Sequence, residues 1–204
     1  LDAEGKVTRR RRELTKIFRD HLIGSGHCDR RLPFDAEAQT LEIRRCRGWM
    51  RDGRFVDTDP KNGLVEVTPD ALERAVDYTR IREIVAILMG IEIGCVTELE
   101  TVLADKAASG GPFWGELVLQ SDLPILKQLV RFKVPTGTAL VLQGVHGDVE
   151  AEKETAEGVD TYTILRTNVP PVDLSECAGH ARDVVLRLVY SAVPSWAEVG
   201  TWLD

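Results

Sequence analysis

Two periodicities compete along this chain, one near 3.6 residues and one near 2, and their alternation predicts the elements. The longest helical pattern runs from Thr68 to Met89. Thr68 can cap it, Pro69 suits a first helical position, and Asp70 and Glu73 place negative charge at the positive end of the helix dipole. Leu72, Ala75 and Val76 share one face. Ile81, Ile84, Val85 and Leu88 share another, about half a revolution away at about 100° per residue. A central helix that touches different neighbours at its two ends, or that bends between Asp77 and Arg80, accounts for both stripes. Earlier in the chain Leu14, Ile17, Phe18, His21 and Leu22 predict an amphipathic helix ended by Gly24.

Between these two helices the period drops to 2. TLEIRRCRGWM reads as a strand, Asp52-Gly53 as a hairpin turn, RFVDTD as the return strand, and Asn62-Gly63 as a second turn before LVEV. This predicts a three-stranded antiparallel meander with Leu41, Ile43, Trp49, Phe55, Val65 and Val67 facing the core. After a break at 90–94, Thr97 and Glu100 form a capping-box pattern that opens a helix, and Gly110-Gly111-Pro112 closes it. A short strand at 116–120 precedes a helix over DLPILKQLVRF. TALVLQGV reads as a buried strand, 146–158 as an acidic solvated connection, and VDTYTILRT as a strand pairing with 138–145. ARDVVLRLVY reads as a helix burying Val184, Val185, Leu188 and Val189, and Pro194 starts a last short helix carrying Trp196 and Trp202. Without regular βαβ alternation, the expected class is α+β: antiparallel strands, an N-terminal meander and a later sheet, packed against several helices around the helix at 68–89.

Charge changes this picture more than composition does. The 204 residues are 43% hydrophobic and 29% charged, as in an ordinary globular chain, and the net charge is −7. Residues 1–54 hold 14 basic and 9 acidic side chains, whereas residues 55–204 hold 12 and 24. The early excess is mostly arginine, with Arg9 to Arg12 consecutive and Arg44, Arg45, Arg47, Arg51 and Arg54 on the expected meander. The organisation expected is therefore a basic arm over 1–12 followed by a single α+β domain over 13–204. A basic third on an acidic body suggests docking onto an acidic protein surface or RNA. No stretch approaches the ~20 apolar residues of a membrane span. Four scattered cysteines (Cys28, Cys46, Cys95, Cys177) point to thiols in a reducing intracellular compartment, cytoplasm or organelle matrix. Leu1 at the start suggests a fragment or a processed product.

Candidate chemistry is sparse. His146 and Asp148 lie in a glycine-flanked loop after the expected strand at 138–145, and with Cys177 or Cys28 as nucleophile they outline a Cys/His/Asp hydrolase or transferase. Cys177 and His180 with His27 and Cys28 offer zinc-type donors at atypical spacing, so no metal and no cofactor are expected. Phosphate-binding, dinucleotide-binding, zincin and nucleophile-elbow motifs are absent. The function expected is a non-catalytic interaction protein or accessory subunit of a larger assembly, docking through Arg9, Arg10, Arg11, Arg12, Arg44, Arg45, Arg47, Arg51 and Arg54. The alternatives are the small Cys/His/Asp enzyme and a basic RNA- or DNA-binding module.

Overall fold

A computed structural model of the chain describes residues 1–20, 23, 28–108, 113–173 and 183–193. Within them the protein is built from antiparallel β-sheets, with thirteen strands and a single 3-10 helix. The α+β expectation is thereby corrected. The chain divides into two compact units, residues 8–107 and residues 1–7 with 108–204. Where the sequence suggested an arm at 1–12, Arg9 to Arg12 lie inside a strand.

The 8–107 unit holds β1 (Thr8–Lys16), β2 (Asp29–Asp35), β3 (Gln39–Trp49), β4 (Phe55–Asp57), β5 (Leu64–Val67), β6 (Ile81–Ile87) and β7 (Val96–Asp105). A four-stranded sheet runs β1-β7-β3-β4 and a three-stranded sheet runs β2-β6-β5. Cys46 and Ile43 on β3, Leu99 on β7, Leu32, Leu64 and Ala86 on the second sheet, and Leu88 just beyond β6 fill the space between them. Gly48 on β3 belongs to this inner face. A side chain there would run into the backbone of Met89 and Gly90, so the absent Cβ lets these segments approach closely.

The other unit holds β8 (Trp114–Val118), β9 (Ile125–Pro135), β10 (Val141–Val145), β11 (Glu152–Ala156), β12 (Val159–Val169) and β13 (Arg187–Ser191). Its sheets run β10-β13-β8 and β11-β12-β9. Leu119, Leu186, Leu188 and Tyr190 from the first meet Phe132 and Ile164 from the second, and the Tyr190 ring lies 4.9 Å from Phe132 and 5.1 Å from Phe113.

The expected helices are overturned one by one. The two stripes of 68–89 belong to two elements: a 3-10 helix at Asp70–Tyr78 and the strand β6, separated by extended backbone at Thr79. The bend is where the stripes changed phase, and after it the β-branched Ile81, Ile84, Val85 and Ile87 favour a sheet. The start of the first expected helix falls in β1, with Leu14 exposed on the strand and Ile17 buried and Phe18 exposed just after it, while His21 and Leu22 lie outside the described residues. The capping box is coincidental. Thr97 and Glu100 lie on β7, where the Thr97 hydroxyl donates to the Thr15 carbonyl across the strand pair. DLPILKQLVRF supplies β9, with Val130, Phe132 and Val134 inward, and ARDVVLRLVY ends in β13.

The strands at 40–50 and 54–57 form the β3–β4 hairpin, turning at Gly53 with φ of 88°. The meander stops there, because β5 pairs with β6 in the other sheet. Likewise β12 pairs with β11 and β9, not with β10. The strand at 138–145 is β10, an edge strand of half-buried and exposed residues. The acidic connection contains the exposed strand β11. The helix expected from Pro194 lies outside the described residues.

Candidate interaction face

One surface gathers most of the arginines singled out above: the outer face of the β1-β7-β3-β4 sheet. Alternation sends Arg10, Arg12, Leu14 and Lys16 of β1 and Glu98 and Glu100 of β7 to this side. On β3 a bulge at Arg44 decides the outcome. Before it Leu41 and Ile43 face the core; after it Cys46 and Gly48 do, and Arg45, Arg47 and Trp49 turn outward. Trp49 and Phe55, expected in the core, therefore stack on the outside with ring centroids 5.0 Å apart. Val65, also expected inside, is exposed.

Glu98 and Glu100 form the floor of this face and are 1% and 2% exposed. Arg12 reaches Glu98 Oε1 through Nε at 2.9 Å and Nη2 at 2.8 Å, and Arg10 reaches Glu100 Oε1 at 2.9 and 2.7 Å. From the other side Arg45 Nη1 lies 3.3 Å from both carboxylates, and the Trp49 indole donates to Glu98 Oε2 at 2.8 Å. The Arg45 approach to Glu100 Oε2 closes an ion pair without the alignment of a hydrogen bond, and that oxygen has no other partner among the described residues. Arg47 pairs with Asp57 at 2.8 Å and lies over the Phe55 ring, 4.4 Å from its centroid. Burial opposes the charge on Glu98, but donation by Trp49, Arg12 and Arg45 outweighs it and holds its carboxyl below the ordinary 4.5.

Energetics explains why the arginines are held. A carboxylate taken out of water without partners costs several kcal/mol, whereas each half-exposed pair contributes about 1 kcal/mol at most. The arginines thus cancel a penalty more than they add stability. The side chains of Arg10, Arg12 and Arg45 remain 41–62% exposed, oriented from beneath and open above.

Three of the remaining arginines are also matched locally. Arg11 meets Glu13, Arg44 meets Glu42 and Arg54 meets Asp52, while the Arg51 backbone donates to Glu92. Arg30, which the sequence reading passed over, grips Glu13 with both Nη atoms, at 3.1 and 2.8 Å. Arg9 is exposed on β1. The 8–107 unit carries 18 basic and 18 acidic residues, so the −7 belongs to the other unit. The freely solvated cationic surface expected from the first 54 residues is replaced by one whose guanidinium groups mostly meet carboxylates of the same unit.

Of the enzymatic candidates, the described residues are His146, Asp148 and Cys28. His146 and Asp148 are exposed in the turn after β10, with His146 in the left-handed region at φ 64°. Cys28 is buried in the 8–107 unit, as are Cys46 and Cys95. Burial pushes the Cys46 thiol upward from its ordinary 9.0, against a smaller effect of the Thr58 hydrogen bond, which makes it a poor nucleophile. Cys177, His180 and His27 lie outside the described residues. Sequence reasoning missed Glu98 and Glu100. Their signal was an i, i+2 pair of acids in an apolar run, matched by i, i+2 arginines at 10/12 and 45/47.

The fold and this face define an all-β protein of two sandwich-like units, one bearing a cross-strand ladder of arginine and glutamate. More particularly, the chain belongs to the family described as Domain of Unknown Function with solved-structure structure (DUF3857), whose model matches residues 3–173. It is similar to a protein of Parabacteroides distasonis ATCC 8503, described as a putative protease, whose crystal structure it matches with a TM-score of 0.87 at 25% identity. The match covers 95% of this chain and 38% of that one. Comparison with curated proteins finds no match. No helix among the described residues is long and apolar enough to cross a membrane.

Proposed function

We propose that this chain is a non-catalytic interaction module of a larger protein, and that the outer face of the β1-β7-β3-β4 sheet binds an extended acidic polypeptide. One observation carries the reading. The face displays oriented, half-exposed arginine side chains beside exposed Leu14 and Phe55. Counting Arg10, Arg12, Lys16, Arg45 and Arg47 against Glu98, Glu100 and Asp57, it retains two positive charges. Fixed guanidinium forks suit carboxylates, and aromatic rings beside them suit the apolar residues between those carboxylates. The 38% coverage of the Parabacteroides protein supports a module in a longer chain. That protein's description as a protease supports a polypeptide as the occupant, held here while chemistry proceeds elsewhere.

The test is fluorescence anisotropy of a labelled peptide alternating glutamate and phenylalanine. Binding is expected to weaken roughly tenfold between about 50 and about 300 mM salt, since the exposed charges are screened. Arg12→Glu and Arg45→Glu should each weaken it further. Binding unaffected by either substitution, or tighter binding of an RNA oligonucleotide, would contradict the proposal. So would casein hydrolysis by the isolated chain that His146→Ala abolishes.

A further inference from the structure

The outer face of the β11-β12-β9 sheet carries a charge arrangement that the reading above leaves unused. Alternation places Lys127, Leu129, Arg131 and Lys133 of β9 on this side, since Val130, Phe132 and Val134 point into the core. The matching residues are Thr161, Thr163, Leu165 and Thr167 on β12 and Glu152 and Glu154 on β11. Two complete rows run across the sheet, Arg131–Thr163–Glu152 and Lys133–Thr161–Glu154. In each row cation and anion stand two strands apart, about 10 Å, too far to pair with each other. The ion pairs among the described residues of this unit are Lys6–Glu4, Lys153–Asp160 and Arg187–Glu116, which use none of the five charged residues on this face. Leu129 and Leu165, directly opposite each other, are 46% and 58% exposed.

A basic edge, a threonine centre with exposed leucine, and an acidic edge at matching heights form a surface complementary to itself. We infer that this face pairs with the same face of a second copy of the chain, about a two-fold axis running along β12. That axis lays β9 of one copy over β11 of the other while keeping each row level. Arg131 then meets Glu152 of the partner subunit, and Lys133 meets Glu154 of the partner subunit. Leu165 meets its own counterpart near the axis, the isologous arrangement that two-fold symmetry requires. Sheets packed face to face in this way lie about 10 Å apart, within reach of long side chains. The patch is small. Eleven residues each of β9 and β12 and five of β11 give a flat footprint of roughly 440 Å², against about 800 Å² per partner in a standard interface. The pairing is therefore weak, reversible and sensitive to salt.

Sedimentation velocity of the full chain tests it. The weight-average sedimentation coefficient should rise between about 10 and about 500 μM protein at low salt, and return to the monomer value at about 500 mM salt. Arg131→Glu alone and Glu152→Arg alone should each be monomeric, because each sets like charges face to face. An equimolar mixture of the two variants should recover the dimer, since every facing pair is then of opposite sign. Both substitutions are on exposed strand positions, and circular dichroism is the check that each variant is folded. A monomer at every concentration, a dimer indifferent to Arg131→Glu, or a mixture that stays monomeric would overturn the inference.

Discussion

Glu98 concentrates the physics of the 8–107 unit in one side chain. It is buried, ionised and held by Trp49, Arg12 and Arg45. Replacing it with glutamine keeps the shape but removes the charge that these donors surround. Glu98→Gln should cost about 2 kcal/mol, below the 3–5 kcal/mol of a fully buried pair because the arginines can still reach water. Chemical denaturation at neutral pH measures this. The pH dependence has a definite sign. A carboxyl whose folded-state value lies below the ordinary 4.5 stabilises the protein fully above that value and loses the contribution as pH falls through the folded value. Asp160 acts in the same sense from 3.8: Lys153 and then Thr155 hydrogen-bond to its carboxylate and hold it low. Stability should therefore fall as the solution is acidified below about pH 4.5, and Glu98→Gln should flatten the first part of that fall. An unchanged acid profile in the variant would show that Glu98 is not ionised as described.

At the scale of elements, the same sequence supported two readings wherever a strand was buried on both sides or carried one charged face. β7 is largely covered on both faces, so its apolar residues show no period of 2, and the Thr97–Glu100 spacing imitates a helix start. In β9 the inward residues alternate, yet Ile125, Leu129 and Phe132 also fit helical spacing. The β3–β4 hairpin was legible because Asp52-Gly53 marks its turn and β-forming residues flank it. Its long-range pairing was not, since nothing local tells β3 to take β7 as its other neighbour. The bulge was equally hidden, and it alone sends Trp49 outward and Cys46 inward. Deleting Arg44 should leave Cys46 and Gly48 inward in an unbroken alternation, whereas inserting one alanine between Arg45 and Cys46 should turn both to the outer face. With the insertion the unit should unfold or lose cooperativity, as near-ultraviolet circular dichroism of Trp49 would report. An insertion variant as stable as the parent would show that the alternation after Arg44 does not decide which side chains are buried.

For the molecule as a whole, the division that matters is not the charge asymmetry of the sequence. Cutting at residue 54 separates positive from negative, but folding brings β1 and β3 against β7, and the 8–107 unit becomes neutral. That unit is a continuous segment with its own two sheets and its own core. Residues 8–107 expressed alone should give a dispersed amide spectrum and a cooperative thermal transition. Collapsed, poorly dispersed signals would mean that the rest of the chain is needed for its fold. The candidate face depends on the same closure, because its arginines come from β1 and β3 and its carboxylates from β7.

Arginine side-chain nuclear magnetic resonance tests that closure most directly. The Nε–H groups of Arg10 and Arg12, bonded to Glu100 and Glu98 at 2.9 Å, should give resolved resonances that persist at moderate salt. Arg12 should lose its distinct signal in Glu98→Gln, and Arg10 in Glu100→Gln. Signals merged with those of free, solvated arginine in the parent protein would mean that β1 is a loose cationic segment, and the ladder described here would not exist.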